Sequence, residues 1–195
     1  VTVAFSVVVV TAILGHFGAA ALAGYGLGSR LELMITLLVF GVGSALTAGV
    51  GANVGAQNFQ RARSIAWAGA SIAFLVTGGI GVMVAVTPEL WLDWFTADEA
   101  AYKVAALYLA IAGPFYGFFG AGQALYFASQ GTGRLLLPIC VGIVRFLTIS
   151  LVGLVAVLMD WPIQVVFAGV SAGLLVTGVG MALCLFSSDW RPRLQ

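Results

Sequence analysis

Residues 33–56 read LMITLLVFGVGSALTAGVGANVGA, 24 positions without a charged side chain. About 20 apolar residues in a helix cross the hydrocarbon core of a bilayer. A barrel strand alternates polar and apolar residues, and this run does not, so a helix is the spanning form it can take. Five more stretches of the same character accompany it, at 1–15, 65–87, 104–128, 135–159 and 163–186. The first is short. It starts on Val1 with no Met, charged flank or cap, and it lacks the positive n-region and cleavage site of a signal peptide. The chain is therefore expected to begin inside a helix, with sequence missing upstream. The expected fold class is an all-α polytopic membrane protein, a six-helix transmembrane bundle forming one domain over residues 1–195.

The composition agrees. Of 195 residues, 62% are hydrophobic and 8% charged, and the mean hydropathy is +1.11. A soluble domain carries roughly 25% charged residues to face water. The main partner of this surface is thus expected to be the lipid bilayer. A net charge of +1 without a basic run excludes a nucleic-acid binder. Cys140 and Cys184 lie in apolar runs and read as small hydrophobes rather than as a disulfide or zinc ligands. One histidine, His16, cannot build a metal site, so neither metal nor cofactor is expected. No Ser-His-Asp, Glu-x-x-His or phosphate-loop pattern appears, which leaves an enzyme little to work with.

The links at 57–64, 129–134 and 160–162 are short, so sequential spans should pack antiparallel. Arg61, Arg63, Arg134, Arg191 and Arg193 fall on one side of the membrane; Arg30 and Lys103 fall on the other. The positive-inside rule puts the arginine-rich links and the C-terminus in the cytoplasm. Trp67, Trp91, Trp94, Trp161 and Trp190 lie near span ends, as an aromatic belt requires.

Few residues could carry function. Arg145 lies ten positions after Leu135, about 15 Å along a helix and near the bilayer midplane. It either snorkels and caps carbonyls, or faces a wet cavity with a carboxylate or a substrate. Glu32 follows Arg30 at the outer end of the second span. It reads either as an interfacial flank or as a carboxylate that binds a proton or Na⁺. Tyr108, Tyr116, Phe119, Gln123 and Tyr126 recur on one face of the fourth span. That face is either an interhelical hydrogen-bonding surface or a cavity wall that holds a flat or cationic substrate. Pro114 should kink the same span and free a carbonyl. Gly51 and Gly55, Gly113 and Gly117, and Gly169 and Gly173 are four apart, which lets helices pack closely or slide.

The run Gly51-Ala52-Asn53-Val54-Gly55-Ala56, with Arg61-Ala62 beyond it, resembles a signature of the multidrug and toxic compound extrusion (MATE) transporters. It departs at Asn53, where glutamine is usual. Gly15-His16-Phe17-Gly18 with Ala21-Leu22-Ala23 looks like the family's turn after the first helix. Tyr25 to Glu32 is similar to a stretch of one bacterial branch. Gly131 and Gly133, followed by Pro138, resemble the link between the fourth and fifth helices of a half. The resemblance implies twelve helices in two six-helix lobes, with a central cleft worked by alternating access. It implies an antiporter of the bacterial inner membrane that exports amphipathic, cationic small molecules, with Na⁺ or H⁺ as the coupling ion. No apolar run follows the basic tail, so the chain reads as the C-terminal lobe, partnered by an N-terminal six-helix lobe. Some branches place a carboxylate in the fourth helix of this half. The fourth span here has none, which leaves the ion to Glu32 or to the other lobe. Two alternatives stand beside this. A flippase for lipid-linked precursors would want several cavity arginines where only Arg145 is present. A non-transporting scaffold would explain the scarcity of acidic residues.

Overall fold

The computed structural model describes residues 2–133 and 135–187. Arg134, Trp190, Arg191 and Arg193 lie outside the described residues. The described residues run through eight α-helices, α1 (Thr2–Leu14), α2 (Ala19–Gly55), α3 (Phe59–Val86), α4 (Glu89–Leu92), α5 (Glu99–Ala112), α6 (Tyr116–Thr132), α7 (Leu136–Leu158) and α8 (Ile163–Ser187). Short 3₁₀ turns, Gly15–Phe17 and Gly113–Phe115, join α1 to α2 and α5 to α6. No strand occurs among the described residues. Counting α5 and α6 as one span, five segments are long and apolar enough to cross a membrane, and a shorter apolar helix precedes them.

Local chemistry sets the boundaries. Gly18 and Gly133 take positive φ, which ends a helix without the steric cost a Cβ would bring. The turn from α2 to α3 closes through Asn58 N–H to the Asn53 carbonyl at 2.8 Å. Asn53 also donates its side-chain amide to the Gly49 carbonyl at 2.8 Å. Asp98 caps α5 by accepting from the Ala100 N–H at 3.0 Å. Asp160, at φ 51°, sits in the turn between α7 and α8.

The largest difference from the sequence reading is at α2. It begins at Ala19, well before the apolar run that starts at Leu33. Hydropathy reports what faces lipid, not how far a helix extends. Tyr25 and Glu32 interrupt the apolar run, but both turn inward and are 4% and 8% exposed. Glu32 is therefore not at the helix end. It lies 13 residues past Ala19, about 20 Å along the axis.

The bundle closes through small residues. A Cβ added at Gly81 would sit 2.1 Å from the Gly113 carbonyl oxygen, so α3 and the α5–α6 turn touch backbone to backbone. At the other end of α6, a Cβ on Gly131 would come within 2.6 Å of the Thr47 carbonyl and 3.0 Å of the Gly51 nitrogen. Gly51 and Gly131, from two signature stretches, are thus one contact.

Pro114 occupies the 3₁₀ turn that separates α5 from α6, as its missing donor demands. Neighbouring helices supply donors around the break. Ser171 Oγ of α8 donates to the Ile111 carbonyl at 3.1 Å, and Thr77 Oγ1 of α3 reaches the Tyr116 carbonyl at 2.9 Å.

Candidate functional site

Glu32 sits inside the lobe, and Tyr108 on α5 donates its hydroxyl to Glu32 Oε1. Tyr108 is fully buried. Gly28, one turn before Glu32, makes room for its ring, since a Cβ there would fall 2.2 Å from Tyr108 Cδ1. Tyr25, two turns before Glu32 on the same face of α2, packs edge-on against Tyr108 at 5.3 Å between centroids. Phe167 of α8 packs on Tyr108 in the same manner at 5.1 Å.

Arg145 enters this interior from α7. It is 5% exposed, and its guanidinium carbon lies 5.2 Å from the centroid of the Phe119 ring on α6. That is cation–π distance. Its stem runs along α8, where a Cβ added at Gly173 would meet Arg145 Cγ at 3.4 Å. Arg145 Nε has no hydrogen-bond partner, and the buried Tyr116 hydroxyl has none either. Tyr25, Tyr108, Tyr116 and Phe119 belong to one buried cluster, which Glu32 joins through the Tyr108 hydroxyl and Arg145 through the Phe119 ring. One acid, one base and three tyrosines from four helices therefore form a single polar cluster within an apolar bundle.

Tyr108, Tyr116 and Phe119 are closed into the lobe interior, whereas Gln123 and Tyr126 further along α6 are only partly buried. A separate apolar groove of about 470 Å³ opens between α3, α6 and α8, lined by Trp67, Phe74, Phe118 and Leu125 among others. In the signature, Ala62 is fully buried on the inner face of α3, while Gly55, Ala56 and Arg61 are exposed. Gly133 ends α6.

Sequence reading missed Tyr25, Thr77, Phe167 and Ser171. Tyr25 carries a usable signal, being seven residues from Glu32 and so on the same helix face. Thr77 and Ser171 are hydroxyls within apolar spans, which often bond across to another helix. Phe167 gives no signal separable from ordinary core.

A bundle of membrane-length helices with a buried acid and a buried arginine at its centre is the build of a polytopic membrane transporter. The family model MatE matches residues 1–156, and the chain belongs to this family of MATE transporters. Among curated relatives, the probable multidrug resistance protein NorM of Thermotoga maritima is 27% identical over 134 residues, 69% of this chain and 29% of that protein. The probable multidrug resistance protein YoeA of Bacillus subtilis is 22% identical over 143 residues, 73% of this chain and 31% of that protein. Among solved structures, the MATE transporter ClbM in complex with Rb⁺ superposes with a TM-score of 0.86 at 23% identity, covering 96% of this chain and 44% of ClbM. A point mutant of the Vibrio cholerae MATE transporter VcmN gives 0.83 at 20% identity, covering 95% and 43%. The chain thus spans less than a third of the curated relatives and less than half of the solved ones.

Proposed function

We propose that this chain is the C-terminal lobe of a secondary antiporter that exports amphipathic cationic molecules in exchange for Na⁺ or H⁺. The observation that carries this reading is Glu32, a buried carboxylate deep in a MATE bundle, hydrogen-bonded by Tyr108, on whose ring Tyr25 packs. Intramembrane acids are costly and mark ion paths. ClbM, which shares this fold, was solved in complex with Rb⁺, which supports a monovalent cation as coupling ion in this reading.

In this reading an N-terminal six-helix lobe of the same polypeptide forms the other wall of a cleft. The partly buried end of α6, with Gln123 and Tyr126, faces the substrate. Glu32 takes the coupling ion from outside, and the loaded lobe favours one orientation of the cleft. Releasing the ion inward and taking substrate favours the other, because each ligand shifts the equilibrium by its differential affinity for the two states. The arginine links and the C-terminus lie in the cytoplasm, and the transporter sits in a bacterial inner membrane.

The test is efflux of a fluorescent cation from cells expressing the full reading frame, with Na⁺ withdrawn or the proton gradient collapsed. Efflux should stop under one of the two conditions, which names the ion. Glu32→Gln at equal membrane abundance should cut the gradient-driven rate by about tenfold or more. Full efflux by that variant removes Glu32 from the coupling path. No efflux by the parent, with protein in the membrane, favours the flippase or the scaffold.

A further inference from the structure

The cluster holds one feature that ion loading at Glu32 does not by itself require. Arg145 is a buried cation with no carboxylate within 4 Å among the described residues, and its Nε is unbonded. It rests on the face of Phe119 instead, at 5.2 Å. Buried charges are normally paired and hydrogen-bonded, because desolvation is otherwise uncompensated. Glu32 is buried in the same bundle and accepts from Tyr108 alone among the described side chains. Two groups of opposite sign therefore share one low-dielectric interior, the guanidinium resting on an aromatic ring and the carboxylate on a tyrosine hydroxyl.

Charge balance makes this arrangement consequential. With both groups ionised the cluster is neutral. A metal cation on Glu32 would leave a net positive charge in the bundle, which is unfavourable unless the guanidinium moves away from it. The arginine side chain is long and flexible enough to do so, and the Phe119 face gives it somewhere to rest that is not the carboxylate.

We infer that Arg145 is a tethered competitor for a monovalent metal cation at Glu32, parked on Phe119 when the cation is bound and swung onto the carboxylate to expel it. This rests on the proposed role of Glu32 and adds the release step. A transporter must let go of its ion as well as bind it, and an internal cation supplies that without a change in ion concentration. Arg145 acts here as a positioning residue, through Glu32 rather than on the substrate.

The experiment is equilibrium binding of ²²Na⁺, and then of Rb⁺, to the purified full-length transporter at fixed pH, for the parent and four variants. Arg145→Gln removes the competitor, so binding should tighten by about tenfold or more, as loss of a nearby like charge predicts. Arg145→Lys keeps the charge and should stay within about threefold of the parent, whereas a merely structural arginine would be mimicked by neither. Phe119→Leu removes the resting place, pushes the guanidinium toward Glu32, and should weaken binding several-fold. Glu32→Gln should abolish binding. Retained binding in Glu32→Gln overturns the role of Glu32 itself. Lost binding there with unchanged affinity in Arg145→Gln overturns the competitor alone. No Na⁺ or Rb⁺ binding by a parent that still pumps drug also overturns the competitor, while leaving a proton-driven antiporter intact. If Arg145→Gln does not fold, near-parent binding by Arg145→Lys together with weakened binding by Phe119→Leu upholds the competitor, and unchanged binding by Phe119→Leu overturns it.

Discussion

Tyr108 holds Glu32 with one hydroxyl, and its ring is in edge contact with both Tyr25 and Phe167. Tyr108→Phe would keep the ring contacts and delete only the donor. A buried group left without its partner costs about 1–3 kcal/mol. In membrane proteins single interhelical bonds measure about 0.6 kcal/mol on average. A carboxylate acceptor should place this one near the upper end of that pair of ranges. The expected result is a loss of roughly 1–2 kcal/mol in SDS unfolding of the full-length transporter. The double variant with Glu32→Gln should then cost less than the sum of the two singles, since each removes one end of the same bond. Additive losses would mean that Tyr108 stabilises α5 through its ring alone. At this scale the sequence was informative about which residues matter and silent about their pairing. Glu32, Arg145 and Tyr108 stand out as polar groups in apolar spans. That Arg145 leans on Phe119 rather than on an acid depends on how α6 and α7 are rotated, which no spacing within either helix reveals.

The helices themselves were legible where lipid and composition dictate them. The runs at 33–56, 65–87, 135–159 and 163–186 each fall, to within a residue, inside one helix, and the run at 104–128 is divided by Pro114 into α5 and α6, where its missing N–H requires. The start of α2 was not legible, because a helix that buries Tyr25 and Glu32 looks polar along a stretch that lipid never sees. Glycine spacing gave faces without partners. Gly113 and Gly117 do lie on one contact face, but the glycines that meet it are Gly81 and Gly78 of α3. This crossing allows a sharp comparison. A Cβ at Gly81 would sit 2.1 Å from the Gly113 carbonyl oxygen, and backbone cannot yield as a flexible side chain can. Gly79, two residues away, has nothing within 4 Å of its Cβ position. Gly81→Ala should therefore destabilise by about 1–3 kcal/mol, as overpacking does. Gly79→Ala should stay within about 0.5 kcal/mol of the parent. Thermal inactivation of the purified transporter reads both. Equal stability of the two variants would mean that α3 can move off α6 at little cost, and that the close crossing is a sliding surface rather than a fixed one.

As a whole, the lobe shows two unlike faces. The exposed side of α7 is aliphatic along its length, with Leu136, Leu147, Leu151, Leu154 and Leu158 all open. Its one charged residue there, Arg145, points inward. The exposed side of α2 changes character midway. Leu33, Leu37 and Phe40 lead to Gly41, Ser44, Ala48 and Ala52, small or polar residues at helical spacing. Lipid gives a small polar stripe no favourable contact, whereas a water-filled cleft or another lobe accepts it. The long aliphatic side chains of α7 suit lipid acyl chains. The lobe should accordingly sit with α7 toward lipid and the C-terminal half of α2 toward the cleft. Single cysteines test this in the full-length transporter after Cys140 and Cys184 are replaced. Ser44→Cys should react with a membrane-impermeant maleimide, faster when the cleft opens to the labelled side. Leu147→Cys should stay unreactive under the same conditions, because a thiol in hydrocarbon neither ionises nor meets the reagent. Labelling at Leu147→Cys with protection at Ser44→Cys would turn the lobe around. The Glu32 cluster would then lie behind the lipid face rather than behind the cleft, where an ion could not reach it from water.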